Sequence, residues 1–211
     1  TERPGQDGSL TGAQPADLPY ERSIEHFTGD KTLEFLRQGE DDPRPFFIQM
    51  SFQRPHGPIR PAREYFDLYD PADIELPDSA VDWFERRFAT KPEHMRKALQ
   101  GGNRYPLADD DPMTLKRALA SYYALITCID MEIGRVVQYL KDRGLYENTI
   151  VVFTADHGDF AGEHGLFHKN FGIYESIHRI PFLFRYPGGP KGVRSCEMIE
   201  SVDLYPTLCE L

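Results

Sequence analysis

Residues 112–143 constrain the fold most strongly. Leu115, Leu119, Tyr122, Tyr123, Ile126, Ile129, Ile133, Val136, Val137 and Leu140 recur at three- and four-residue steps. That spacing lines apolar side chains along one side of a helix. Asp109, Asp110 and Asp111 precede Pro112, so acidic groups stand at the positive end of the dipole and proline takes the first turn. Lys141 and Arg143 occupy the last turn, and Gly144 closes it. At ~1.5 Å per residue the rod is ~45 Å long, enough to cross a whole sheet.

The sequence also supplies a sheet for that rod to cross. Residues 149–155 are β-branched and do not alternate, as expected of a strand covered on both faces. Residues 181–186 form a second such run, ended by Pro187-Gly188-Gly189, and 45–51 a third. A short strand is expected at 197–200, and a helix begins near Val202. A further helix is expected over 28–38, capped by Thr28 or Asp30 and stopped by Gly39. Residues 62–111 are expected to be a surface excursion with short helices, chiefly at 91–100. Residues 1–24 form an irregular lead-in, rich in Gly, Pro and Asp up to position 19. The order helix, strand, loop, strand, helix implies an α/β domain with a mainly parallel sheet. Three or four strands are few for such a sheet. A fragment truncated at both ends, its other strands upstream, is the expectation.

Composition removes some functions. The formal net charge is −10, against a general nucleic-acid binder, which needs a basic face. No apolar run reaches the ~18 residues of a membrane-spanning helix. Cys128, Cys196 and Cys209 are scattered and odd in number, which suggests neither a thiolate metal site nor a disulfide framework. Unpaired thiols favour a cytoplasmic setting. A periplasmic or secreted one stays open, because the natural start of the protein can precede Thr1.

The chemistry gathers at the end of the 149–155 run, in Asp156-His157-Gly158, then Gly162-Glu163-His164-Gly165 and His168-Lys169. α/β folds put ligand sites at such strand ends. A carboxylate and an imidazole are ligand types shared by several divalent metals, and Gly158 permits the turn that lets both face one ion. The competing reading makes Asp156 a loop cap and His157 a surface residue. Lys169 is either a solvated lysine or a point charge for an anionic substrate. His56, in a loop with Pro55, Pro58 and Pro61, is either a satisfied loop histidine or a neighbour of Asp156 on one sheet edge. Metal, imidazole and lysine together would make a pocket for a tetrahedral oxyanion.

Three stretches carry a resemblance: Phe46 to Pro58, Asn148 to Asp159, and Gly162 to Lys169. Together they resemble the sulfatase family of the alkaline-phosphatase-like superfamily, with His157 pointing to the arylsulfatase and phosphonate monoester hydrolase branch. The resemblance implies an alkaline-phosphatase-like α/β/α sandwich and metal-dependent hydrolysis of sulfate esters. Hydrolysis of phosphonate or phosphate esters is the sister activity, and a non-catalytic fragment is the third reading. Asp156 and His157 would then be two ligands of a divalent ion, calcium first, manganese or another transition ion second. His56 and Lys169 would contact the oxygens of a small anionic sulfate ester, and His56 would protonate the leaving alcohol. The family's formylglycine nucleophile arises in a Cys/Ser-x-Pro/Ala-x-Arg motif, which this chain lacks, as it lacks the family's N-terminal Asp-Asp metal pair. Both are expected upstream, so this chain alone is expected to turn over no substrate. Leaving group and oligomeric state stay open.

Overall fold

The computed structural model describes residues 13–80, 89, 91–94, 96, 111–169 and 173–211. Its first long element is α1 (Ile24–Gln38), capped by Ser23, whose hydroxyl accepts the His26 N–H at 3.1 Å. It begins a turn earlier than the sequence suggests. Thr28 cannot cap, because its hydroxyl donates to the Ile24 carbonyl inside the helix at 2.8 Å. After the one-turn helix α2 (Arg63–Phe66), the rod α3 (Pro112–Asp142) matches its expected span. The Asp111 carboxylate accepts the Met113 N–H at 3.1 Å, as an N-cap should. The expected helix over 91–100 lies mostly outside the described residues.

α3 organises the interior. Leu115, Ala118, Leu119 and Leu125 are buried against Phe160, Leu166 and Phe167 of the loop that follows residue 155. Ile59, Ile74, Ala80 and Ile177 close the same core. Each large side chain so buried contributes roughly 1.5–3 kcal/mol. The other side of α3 packs on α1 around a charge. Glu132 is 0% exposed and accepts from Tyr20 Oη at 2.6 Å and Arg135 Nη1 at 2.6 Å, with His26 Nδ1 at 3.0 Å. Gly29 admits this carboxylate, since a Cβ there would stand 1.9 Å from Glu132 Oε2. Cys128 lies one turn away, its thiol pushed up to about 12 by burial and by Glu25 and Glu132. It is an inert core residue at neutral pH.

β1 (Val151–Thr154) pairs with β2 (Phe182–Arg185). Arg185 clasps the α3–β1 turn, donating to the carbonyls of Tyr146 (2.5 Å) and Thr149 (2.6 Å). The pair is antiparallel, with Val151 opposite Arg185 and Thr154 opposite Phe182. A mainly parallel sheet was the expectation, and this pair departs from it because an apolar run carries no sign of direction. Nor are the runs covered on both faces: Leu183 is 66% exposed. Residues 45–51, expected as a buried strand, form no strand and pair with nothing among the described residues, and Phe47 is 83% exposed. The expected strand at 197–200 also forms no ladder. A strand exists only through a neighbour that takes its backbone hydrogen bonds. Downstream, Leu204–Glu210 is helical, as expected.

Candidate active site

The site grows from the end of β1. Gly158 donates its N–H to the Ile177 carbonyl at 2.8 Å, and a Cβ there would lie 1.9 Å from the Ser176 carbonyl oxygen. Only glycine allows this approach. The chain turns away under the segment Glu175–His178 and leaves Asp156 and His157 at the strand tip. The Asp156 side chain is 86% exposed. Its Oδ1 accepts the His157 N–H at 3.0 Å, and its Oδ2 lies 3.4 Å from His157 Nε2.

The tautomer of His157 follows from its partners. Nδ1 is 2.6 Å from the Gly158 carbonyl oxygen, which can only accept, so Nδ1 carries the proton. The Nε2 lone pair is left to accept from Lys169 Nζ at 2.5 Å. An imidazole fixed through its second nitrogen is how proteins orient histidine ligands. The donors fit a divalent cation in type and tautomer, and the cation now at Nε2 is the ammonium of Lys169. They are too few to hold an ion alone. No group of three or more His, Cys, Asp or Glu forms a metal site among the described residues.

The loop that returns Lys169 to β1 is tied by Asp159. Its Oδ1 accepts the N–H of Ala161 (2.8 Å) and of His168 (3.0 Å). Phe160 donates its N–H to the His168 carbonyl at 3.1 Å and buries its ring in the core. His168 Nδ1 stands 3.7 Å from Asp159 Oδ2. Burial lowers the His168 pKa below the usual histidine value. Asp159 opposes the shift, and His56 and Lys169 add to it.

His56 arrives on its own loop, anchored by buried Ile59. Its Nδ1 lies 3.0 Å from the Gly57 carbonyl oxygen, so that nitrogen donates and Nε2 carries the lone pair of the neutral ring. Its ring is 5.7 Å from that of His168, tilted by 31°. The fold therefore joins His157 directly to Asp156 and Lys169. His56 reaches them through His168, the neighbour of Lys169. No hydrogen bond or ion pair links His56 to Asp156 or His157 among the described residues. Sequence reasoning missed the roles of Asp159 and His168. Their only signal was membership of the Asp-His-Gly-Asp and His-Lys motifs, which does not reveal that one ties the loop and the other meets His56.

A family profile described as Sulfatase matches residues 9–211. The chain belongs to the sulfatase family. It is 37% identical over 199 residues to an arylsulfatase of Clostridium perfringens, covering 90% of this chain and 39% of that protein. It is 31% identical over 218 residues to the multifunctional alkaline phosphatase superfamily protein PehA of Trinickia caryophylli, covering 98% of this chain and 42% of that one. A solved phosphonate monoester hydrolase, SpPMH from Silicibacter pomeroyi, superposes with a TM-score of 0.69 at 28% identity, over 90% of this chain and 38% of its own. This sulfatase-family chain thus spans about two-fifths of the length of these relatives. Its fold class is the α/β class of the alkaline-phosphatase-like sulfatases.

Proposed function

We propose that the complete protein hydrolyses sulfate esters with the help of a divalent metal, and that this chain supplies half of the metal and anion site. The supporting observation is the contact of Lys169 with His157 beside Asp156 at the end of β1, in a chain of the sulfatase family. Asp156 and His157 would hold the ion, which when bound supplies positive charge against the ester oxygens. Calcium suits the carboxylate, and the imidazole donor extends the choice to manganese or another transition ion.

The chain's own groups do the rest. The Nε2 lone pair of His157 has room for one electrophile, so Lys169 would be freed from that nitrogen if Asp156 and His157 held an ion. The freed ammonium is a point charge for a sulfate oxygen, where it strengthens as charge develops. His56 keeps Nδ1–H on the Gly57 carbonyl, and in its imidazolium form has a proton at Nε2 to give to the departing alcohol. The family's formylglycine nucleophile is expected outside these 211 residues. Residues 1–211 alone are accordingly expected to turn over nothing.

A second reading, hydrolysis of phosphonate or phosphate esters, draws support from the likeness to SpPMH and to PehA. The test is the complete gene product assayed on matched 4-nitrophenyl sulfate and phosphonate esters, before and after metal removal by chelator. Sulfate turnover that falls on chelation and returns with Ca²⁺ or Mn²⁺ is expected. A dominant phosphonate rate selects the second reading. Chelator-resistant turnover removes the metal role of Asp156 and His157, and no turnover on either ester leaves a non-catalytic protein.

A further inference from the structure

The loop that carries His56 cannot hold itself in place. Pro55, Pro58 and Pro61 remove three N–H donors from it. Its internal backbone bonds run from the His56 N–H to the Gln53 carbonyl (3.2 Å) and from the Arg60 N–H to the Pro58 carbonyl (3.0 Å). The His56 carbonyl gets its donor from a side chain: Arg54 Nη1 donates to it at 3.2 Å. The same nitrogen also donates to the Pro58 carbonyl, on the far side of His56 and Gly57. One guanidinium therefore bridges both ends of the turn that presents the imidazole.

That guanidinium is itself held. Arg54 Nε lies 3.5 Å from Oε1 of Glu25, with the two side chains 21% and 7% exposed. Glu25 Oε1 receives no hydrogen bond among the described residues, so the nearby positive charge is what compensates this buried carboxylate oxygen. Glu25 sits in the first turn of α1. This ion pair ties the loop to the α1–α3 body beside the anchor that buried Ile59 provides.

We infer that Arg54, anchored by Glu25, is a positioning residue for His56: it clamps the carbonyls of His56 and Pro58 and so sets where the imidazole stands relative to the ester. This role rests on the proposed function of His56 as the group that protonates the leaving alcohol. Arg54 acts on the reaction only through that imidazole. A misplacement of about 1 Å can cost on the order of 100-fold in rate, and the loss should fall on the proton transfer.

The leaving group reads this out. In the complete protein, kcat and KM are measured on an aryl ester with a good leaving group, 4-nitrophenyl, and a poor one, phenyl. Sulfates or phosphonates are used, whichever the wild type hydrolyses. Loss of a general acid penalises the phenyl ester far more than the nitrophenyl ester. His56→Ala is expected to lower kcat on the phenyl ester by roughly 100-fold or more, and on the nitrophenyl ester by much less. Arg54→Ala should reproduce that bias at about 10- to 100-fold, with KM within about threefold. Arg54→Lys, able to restore one of the two carbonyl bonds, should recover part of the loss. Glu25→Gln, which keeps shape and removes the charge, should show the same bias more weakly, and it carries the test if Arg54→Ala fails to fold. If Arg54→Ala or Glu25→Gln loses rate equally on both esters, or not at all, while His56→Ala shows the bias, the positioning role is overturned and the site reading survives. If His56→Ala shows no bias, the reading of His56 falls and the Arg54 role falls with it.

Discussion

The α1–α3 pair and the β1–β2 pair differ sharply in how they treat polar groups. Between the helices even a carboxylate is sealed: Glu132 is fully buried and meets Tyr20, His26 and Arg135. At the strands the opposite holds. Phe153 and Leu183 are exposed, and Asp156 projects into solvent at the tip of β1. The helical pair is a finished interior and the strand pair an open one. Stability is concentrated where water is excluded, and the proposed binding groups stand where it is not. The loop 156–169 connects the two, because Phe160, Leu166 and Phe167 anchor it in the α3 core while its ends carry His157 and Lys169.

The sharpest way to break this contrast is Lys169→Ala in the complete protein. Turnover should fall by roughly 1,000-fold, about 4 kcal/mol at about 1.4 kcal/mol per tenfold. The thermal midpoint should stay put, because the side chain is exposed and supports no packing. Unchanged kinetics would remove Lys169 from the site. Glu132→Ala is the converse. It leaves the buried Tyr20 hydroxyl only the Cys128 carbonyl, at 3.3 Å, to donate to, and leaves Arg135 and His26 to share the more exposed Asp30 alone. A cost of about 3 kcal/mol is expected from a denaturant titration, at the low end for a broken buried pair, since Arg135 and His26 keep some contact with water. Activity per folded molecule should be unchanged. A variant as stable as the parent would show that the helical pair does not carry the stability.

A smaller effect comes from His168. Its folded-state pKa is lowered, chiefly by burial, so the unfolded chain takes up a proton first as pH falls below the ordinary histidine value of about 6.5. The stabilisation present above that pH is lost on acidification until the folded-state pKa is also passed. Unfolding midpoints should therefore fall between pH 7 and pH 5, and fall less in His168→Gln. Equal slopes would mean that other groups govern this window. The depressed Asp30 carboxyl, held down first by its hydrogen bond from Arg135, acts below the usual carboxylate range and does not intrude.

Much of this was readable from the chain. The α3 span and its acidic start before Pro112 were readable, since the helical period is a local property. Its buried face was readable only in part, because Tyr123 and Ile126 of the expected stripe are exposed while Leu125, Cys128 and Glu132 are buried. The Asp156-His157 turn was readable because an apolar run stopped at a glycine. The start of α1 was misread because Thr28 and Asp30 look like caps, while Ser23 has the position and the free hydroxyl. Residues 45–51 were misread because an apolar run signals burial and cannot supply a partner strand.

By itself the sequence determined the long helix, the strand end and the residue types at the site, since each depends on neighbours within a few positions. Tertiary structure decided the rest. It set β1 and β2 antiparallel, brought the His56 ring to His168, and placed Lys169 on the one nitrogen of His157 that Gly158 leaves open. It also set Glu25 under Arg54, 29 positions along the chain. These are contacts between segments far apart in sequence, and no local pattern records the distance between two side chains that the fold alone brings together.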